Sequence, residues 1–215
     1  MPATRDPLPL AARLGFTLWI VVWVPIILAT YGAQNFWWLC NLAQFILLYT
    51  VWRPNALLLS SQAGTVVFIG IVWVLDVSVG LAAGDSVTGA TAYMFDDEIP
   101  LIARVTSLYH AWLPLFVLWL CWRIGYDGRG VWLQCIIGTL VIFGARFASD
   151  GERNINFAFE PLLVDLGGMP VLLYLGLLAL VTALLVYVPG HLLVRAVLAR
   201  LPSASHRRAG AADAH

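Results

Sequence analysis

Three side chains with reactive or ionisable groups, Cys40, Asp76 and His110, lie inside three different apolar stretches of the chain. Strongly polar groups are costly at membrane depth, so residues of this kind mark candidate functional sites. A thiol, an imidazole and a carboxylate are the groups of a nucleophile, its base and an orienting acid. In that arrangement His110 draws the proton from Cys40, and Asp76 orients the imidazole. The alternative is structural: Asp76 and His110 satisfy each other and tie two helices together, while Cys40 packs as a small apolar residue.

The three side chains are predicted to lie at one depth. With a rise of 1.5 Å per helical residue, Cys40, Asp76 and His110 lie about 8, 10 and 9 Å below the same membrane face. This coincidence predicts a catalytic layer in the outer half of the bilayer. Polar residues close to this layer or near the same face are expected to contact the substrate; they are Asn41, Gln44, Arg146, Asn154 and Asn156.

Two of these expectations have structural alternatives. Arg146 could hold a phosphate or carboxylate through both arms of its guanidinium, but it could equally extend to the membrane surface. Asn154 and Asn156 line the outer mouth of the site or cap the loop before the last helix.

The composition requires a membrane to position these residues. Of 215 residues, 61% are hydrophobic and 11% are charged, whereas soluble domains carry about 25% charged residues. Lipid offers no partner for free backbone groups, so apolar stretches long enough to cross about 30 Å must be helices. Six such stretches occur, at residues 14–31, 36–52, 63–83, 101–122, 130–147 and 170–188. The sequence therefore predicts an all-α, six-helix transmembrane domain over residues 1–202 and a disordered cytoplasmic tail over residues 203–215.

Arginine placement predicts the orientation, because cytoplasmic loops retain positive charge. Nine arginines fall on one side: Arg5, Arg13, Arg53, Arg123, Arg129, Arg195, Arg200, Arg207 and Arg208. Three fall on the other: Arg104, Arg146 and Arg153. Both termini are therefore expected in the cytoplasm of a multi-pass inner-membrane protein. Residues 191–201, after the Pro-Gly pair at 189–190, are expected to form a short helix along the inner leaflet.

Charge and cysteine usage exclude several functions. Twelve basic residues balance twelve acidic ones, which argues against nucleic-acid binding. Cys40, Cys121 and Cys135 form no Cys-x-x-Cys pair and have no histidine at metal-ligand spacing, so we expect reduced thiols, no metal and no cofactor. The expected partners are membrane lipids or an amphipathic ligand.

Three short segments resemble a known family. Phe-Trp-Trp-Leu-Cys-Asn at 36–41, Ser-Leu-Tyr-His-Ala-Trp at 107–112 and Asn-Ile-Asn-Phe at 154–157 resemble the YwaF-type integral membrane proteins. That family is similar to animal transmembrane acyltransferases that remodel ether phospholipids through a cysteine and a histidine. The resemblance implies that Cys40 is the acyl-accepting nucleophile and His110 its base.

The resemblance assigns no role to Asp76, and the chain departs from the family at residues 36–38, where Phe-Trp-Trp replaces Pro-Leu-His. We therefore expect a lipid-acting acyltransferase or hydrolase with an outward-facing cavity. A second hypothesis is a non-enzymatic binder or carrier of a small amphipathic ligand, with Asp76 and His110 as a proton-sensitive pair. A third is a structural membrane partner.

Overall fold

All regular secondary structure is helical in the part of the chain that its computed structural model describes, residues 8–161 and 167–201. The α-helices are α1 (Leu10–Tyr31), α2 (Leu39–Trp52), α3 (Ala56–Ala83), α4 (Leu101–Thr106), α5 (Tyr109–Ile124), α6 (Gly130–Ala148), α7 (Val171–Thr182) and α8 (Val188–Arg200). Short 3-10 turns occupy Ala33–Trp37, Ala92–Met94 and Ile155–Phe157. The predicted all-α class is confirmed for these residues, whereas the predicted disordered tail at 203–215 lies outside them.

Five helical stretches are long and apolar enough to cross a membrane. They are Leu10–Tyr31, Ala56–Ala83, Leu101–Ile124, Gly130–Ala148 and Val171–Arg200. Membrane integration follows from their length and composition. The remaining candidate, α2, has 14 residues and is about 21 Å long, shorter than the hydrocarbon layer of about 30 Å.

The segment that carries His110 is not one regular helix. The sequence predicts a single helix over residues 101–122, but the chain breaks at Ser107 and Leu108, between α4 and α5. At the break the backbone N–H of His110 donates to the Ser107 carbonyl three residues back, which tightens the turn. The hydroxyls of Thr106 and Ser107 both donate to the Ala103 carbonyl and compete with the regular helical bonds.

The last two helices, α7 and α8, form one continuous helical segment. The prediction of a separate surface helix at residues 191–201 is therefore wrong. A π-helical turn, Ala183–Tyr187, joins α7 to α8 without a break, and Val171–Arg200 spans 30 residues. Pro189 lacks a backbone N–H, but it lies in the first turn of α8, where that loss is tolerated. The π-turn directly before it accommodates the changed hydrogen-bond register.

The loops at residues 32–38, 84–100 and 149–161 meet at one end of the bundle, here called the loop end. Gln34 donates a hydrogen bond to Asp150 at 2.6 Å, and Arg153 donates one to Asn35 at 2.9 Å. At the opposite end, the backbone N–H of Asp127 donates to Ser60 at 2.8 Å. Loops far apart in the sequence are thus fastened to one another at the loop end, and the loop between α5 and α6 is fastened to α3 at the opposite end.

Glycines allow α3 to approach its neighbours closely. At Gly70 an added Cβ atom would lie 2.6 Å from the His110 carbonyl oxygen and would overlap the Pro114 ring. At Gly64 an added Cβ atom would lie 2.8 Å from the backbone nitrogen of His191 on α8. The contact at Gly70 fixes the distance between α3 and the first turn of α5, where His110 lies.

Replacing Gly70 with alanine should lower the stability of the purified protein in detergent. The added methyl group forces α5 away from α3, and overpacking of this kind costs about 1–3 kcal/mol. Thermal unfolding followed by circular dichroism measures the effect. Gly176→Ala on α7 is the matched control, because its Cβ atom meets no atom within 4 Å. Equal melting temperatures for the two variants would contradict the close α3–α5 contact.

Candidate functional site

Cys40 and His110 line the same cavity. Cys40 lies in the first turn of α2 and His110 in the first turn of α5, and Val66, Ile69, Tyr109 and Leu113 complete the wall. The cavity volume is about 10 Å³, which is close to the minimum that holds one water molecule. Sites for drug-sized ligands measure roughly 300–1,000 Å³, so this cavity is too small for an acyl chain.

The His110 ring is held by a hydrogen bond and by two aromatic rings. Its Nδ1 lies 2.9 Å from the Ser107 carbonyl oxygen, and because a carbonyl only accepts, Nδ1 carries the proton. Trp73 and Tyr109 stack on the imidazole with centroid distances of 5.0 and 4.0 Å. In the neutral ring, Nε2 is then the nitrogen with the free lone pair, as a general base requires.

Asn41 connects the thiol to the rest of the site. Its side-chain oxygen accepts a hydrogen bond from the Tyr109 hydroxyl at 2.8 Å, and its amide nitrogen donates to the Asn35 carbonyl at 2.8 Å. The Cys40 sulfur lies 3.9 Å from the same Asn41 oxygen. Both ends of the Asn41 side chain are therefore engaged within the protein, which makes Asn41 a positioning residue in this conformation. Sequence reasoning missed Tyr109, although it directly precedes His110.

Gln44 lies deeper on α2 and is fully buried. Its side-chain oxygen accepts a hydrogen bond from the Trp19 indole N–H at 2.6 Å. Its amide nitrogen has no hydrogen-bond partner in the part of the chain that is described. Buried polar groups are rarely left unpaired, so this nitrogen is one of the exceptions.

Asp76 lies outside the shared cavity. Its carboxylate accepts hydrogen bonds from the Ser86 hydroxyl at 3.2 Å, from the Thr88 backbone and hydroxyl at 3.2 and 3.0 Å, and from the Thr91 hydroxyl at 2.5 Å. These groups belong to the loop that follows α3. The expected Asp76–His110 pair is thus not formed among the described contacts, because nearby hydroxyl groups take up the carboxylate and a backbone carbonyl takes up the imidazole.

Asp76 still influences the site through this loop. By fixing the loop it helps to place Tyr93, whose hydroxyl accepts a hydrogen bond from the Trp73 indole at 2.8 Å. Trp73 in turn stacks on His110. Burial raises the pKa of Tyr93 to about 12, so the phenol stays protonated at neutral pH. The carboxylate therefore supports the imidazole through the loop and two aromatic rings.

Asn154 and Asn156 fold the loop before α7. The Asn154 side chain bonds the backbone of Phe159 and Glu160, while Asn156 accepts from the Leu39 backbone N–H and donates to the Trp37 carbonyl. Both asparagines adopt a left-handed conformation that asparagine tolerates. Asn156 thus caps the first turn of α2, directly before Cys40, and these side chains have structural partners in place of a substrate.

Arg146 is separate from the Cys40 cavity. Its guanidinium carbon lies 4.3 Å above the Phe159 ring, which is a cation–π contact.

Among the residues described, no group of three or more histidine, cysteine, aspartate or glutamate side chains could hold a metal ion.

Comparison with known proteins adds no assignment. No family model, no curated protein and no solved structure matches this chain.

Proposed function

We propose that this protein transfers or hydrolyses acyl groups of membrane lipids, with Cys40 as nucleophile and His110 as its base. The observation that carries the proposal is the cavity to which both side chains contribute. The orientation of the imidazole agrees with it, since the Ser107 carbonyl holds the Nδ1 proton and leaves Nε2 to accept another. The resemblance of residues 36–41 and 107–112 to YwaF-type proteins supports the same two roles.

The chemistry proceeds through a thioester. The Cys40 thiol gives its proton to His110 Nε2, and the thiolate attacks the carbonyl carbon of a lipid ester. The carbon–oxygen bond of the ester breaks, and the leaving alkoxide takes the proton from the imidazolium to become a lysolipid. Water or a second lysolipid, deprotonated by His110, then attacks the thioester and releases the thiol.

A neighbouring groove has room for part of the acyl chain that the cavity is too small to hold. It has a volume of about 230 Å³ and is lined by Ala12, Gly15, Phe16, Trp19, Trp112 and Phe116. Trp19 belongs to this groove and packs 6.3 Å from Tyr109, measured between ring centroids. Tyr109 in turn lines the cavity. The acyl chain would lie along the groove while the ester approaches the thiol.

The proposed setting is an inner membrane that the chain crosses six times, with both termini in the cytoplasm and the loop end outside. Arginine placement supports this orientation, since Arg13, Arg53, Arg123 and Arg129 lie away from the loop end. For the short helix α2, the preceding turn Ala33–Trp37 and the tryptophans at 37, 38 and 52 extend the segment to the two interfaces. The site then lies beneath the outer leaflet.

Wild-type protein incubated with a phospholipid that carries an isotopically labelled acyl chain should gain the mass of one acyl group. Intact-protein mass spectrometry measures the gain, and neutral hydroxylamine should remove it, as it cleaves thioesters. Cys40→Ala should show no label. His110→Ala should label about 10²–10⁴ times more slowly, the usual loss on removing a general base.

Cys135→Ala is the matched control, since Cys135 is a partly buried thiol on α6, outside the cavity wall. It should label like the wild type. Labelling that persists in Cys40→Ala, or wild-type protein that never becomes labelled, would remove the basis for the enzyme.

The groove also supports a second candidate function, a carrier or binder of a small amphipathic ligand. Gly15 has no atom within 4 Å of an added Cβ, so Gly15→Leu should fill the groove without a backbone clash. Binding of a fluorescent fatty acid should then weaken by about tenfold, which corresponds to burial of roughly two methylene groups. Gly176→Leu on α7 is the control.

The two functions predict different effects of the Cys40→Ala variant. A carrier retains fatty-acid binding and whatever transport it supports without the thiol, whereas the enzyme loses turnover. Undiminished binding in Gly15→Leu would rule out the groove as the binding site.

A further inference from the structure

Two guanidinium groups converge near Tyr31 at the loop end. The Arg153 guanidinium carbon lies 4.6 Å from the centroid of the Tyr31 ring. Arg104 comes from α4, which packs against α1, and its charge acts on the same Tyr31 hydroxyl. The loop before α7 and the segment between α3 and α5 thus each bring one arginine to the last residue of α1.

These three residues carry hydrogen-bond donors that the protein leaves unused. The Nε atoms of Arg104 and Arg153 and the hydroxyl of Tyr31 are buried and have no hydrogen-bond partner in the described structure. Arginine only donates, and a tyrosine hydroxyl donates readily. Because buried polar groups are normally paired, three open donors on residues around the end of α1 favour an acceptor with several oxygen atoms.

The positive charge of Arg153 is not neutralised by a described carboxylate, so it can attract such a ligand. One of its terminal nitrogens donates to the neutral Asn35 side chain at 2.9 Å, and no salt bridge to Arg153 is found among the described residues. Arg104 pairs with Asp97 at 3.2 Å, but that carboxylate is 96% exposed. An exposed pair of this kind contributes little and is readily exchanged.

Acidic side chains also surround this site and limit which anion suits it. Asp96 lies close enough to act electrostatically on the Tyr31 hydroxyl, and Asp150 accepts the backbone N–H of Arg153 at 3.0 Å. Together with Asp97, these carboxylates disfavour a ligand of high negative charge. A phosphate diester, with a single negative charge, is favoured over a more highly charged phosphate.

We propose that Arg153, Arg104 and Tyr31 bind a phosphate group, from a phospholipid headgroup or from free phosphate. Guanidinium groups match phosphate oxygens in pairs, which makes arginine the usual residue for this recognition. The headgroup version deepens the proposed acyl chemistry and depends on it, because it assigns the phosphate of the lipid substrate to a site beside the Cys40 cavity.

Hydrogen bonds connect this phosphate site to the Cys40 cavity. Arg153 donates to Asn35, the Asn35 carbonyl accepts from Asn41, and Asn41 accepts from Tyr109, which lines the cavity beside Cys40. In a phospholipid the ester carbonyls lie deeper in the membrane than the phosphate. A headgroup on Arg153 therefore places an ester on the side of the site where Cys40 lies.

The test measures lipid binding by the delipidated full-length protein with native mass spectrometry. The probes are a phosphatidylcholine, a diacylglycerol with the same acyl chains, and inorganic phosphate. Wild-type protein should bind the phospholipid at least about tenfold more tightly than the diacylglycerol, because charge-assisted hydrogen bonds are worth about 1.5–3 kcal/mol. Arg153→Gln should lose this preference, and Arg153→Lys, which keeps the charge, should retain part of it.

Arg146→Gln is the matched control, since Arg146 lies at the end of α6 against Phe159. It should bind like the wild type. If inorganic phosphate displaces the phospholipid at similar concentration, free phosphate is the ligand; if it does not, the headgroup is. Equal binding of phospholipid and diacylglycerol, or equal loss in Arg153→Gln and Arg146→Gln, would overturn the proposal.

The Cys40→Ala variant separates this proposal from the enzyme. It should keep the phospholipid preference even though it forms no thioester. If the wild type prefers the phospholipid but is never labelled with an acyl group, the phosphate site stands and the acyl chemistry is wrong. If the wild type is labelled but shows no preference for the phospholipid, the acyl chemistry stands and the phosphate site is wrong.

Discussion

The two hydrogen bonds of the Asn41 side chain are the interaction on which the candidate site depends. An amide in an apolar bundle must find a donor and an acceptor, because an unpaired buried polar group costs about 1–3 kcal/mol. Asn41 finds the acceptor in the Asn35 carbonyl and the donor in the Tyr109 hydroxyl. The first bond fixes the turn that leads into α2, and the second joins α2 to α5. Cys40 and His110 are next to Asn41 and Tyr109 in sequence, so their positions follow.

The same requirement explains how the rest of the loop end is organised. Asp76 could not remain unpaired at the end of α3, and the chain satisfies it with hydroxyl and backbone groups from residues 86–91. Asn156 supplies the acceptor that the first turn of α2 needs. Each polar side chain near the site thus satisfies a specific backbone or side-chain group. Several buried donors have no partner among the described residues, and those of Tyr31, Arg104 and Arg153 are the ones that the phosphate proposal uses.

The sequence was sufficient to predict a common depth for Cys40 and His110, because helix rise and the membrane boundary set the depth of each residue. It was not sufficient to predict their partners. Which way a side chain points around a helix depends on packing. The sequence therefore could not predict whether Asp76 bonds to His110 or to the threonines of the loop that follows α3. The threonines at 88 and 91 offered a local signal, since hydroxyl groups shortly after a helix often bond back to it.

Helix boundaries were also only partly predictable from the sequence. Residues 101–122 have continuous apolar character, yet Thr106 and Ser107 break the helix there by bonding the Ala103 carbonyl. Residues 189–190, Pro-Gly, indicate a helix end by composition, but the π-turn Ala183–Tyr187 lets the helix continue. The glycines at 64 and 70 appear in the sequence only as small residues. Their role is evident once α8 and α5 are seen to pack against α3.

A double-mutant cycle between Asn41 and Tyr109 tests the central constraint most directly. The free energy of unfolding in detergent is measured for wild type, Asn41→Ala, Tyr109→Phe and the double variant. If the hydrogen bond between these side chains joins α2 to α5, the cycle should give a coupling energy of about 0.5–3 kcal/mol. Additive effects of the two substitutions would contradict it and would leave Cys40 and His110 without the framework that brings them together.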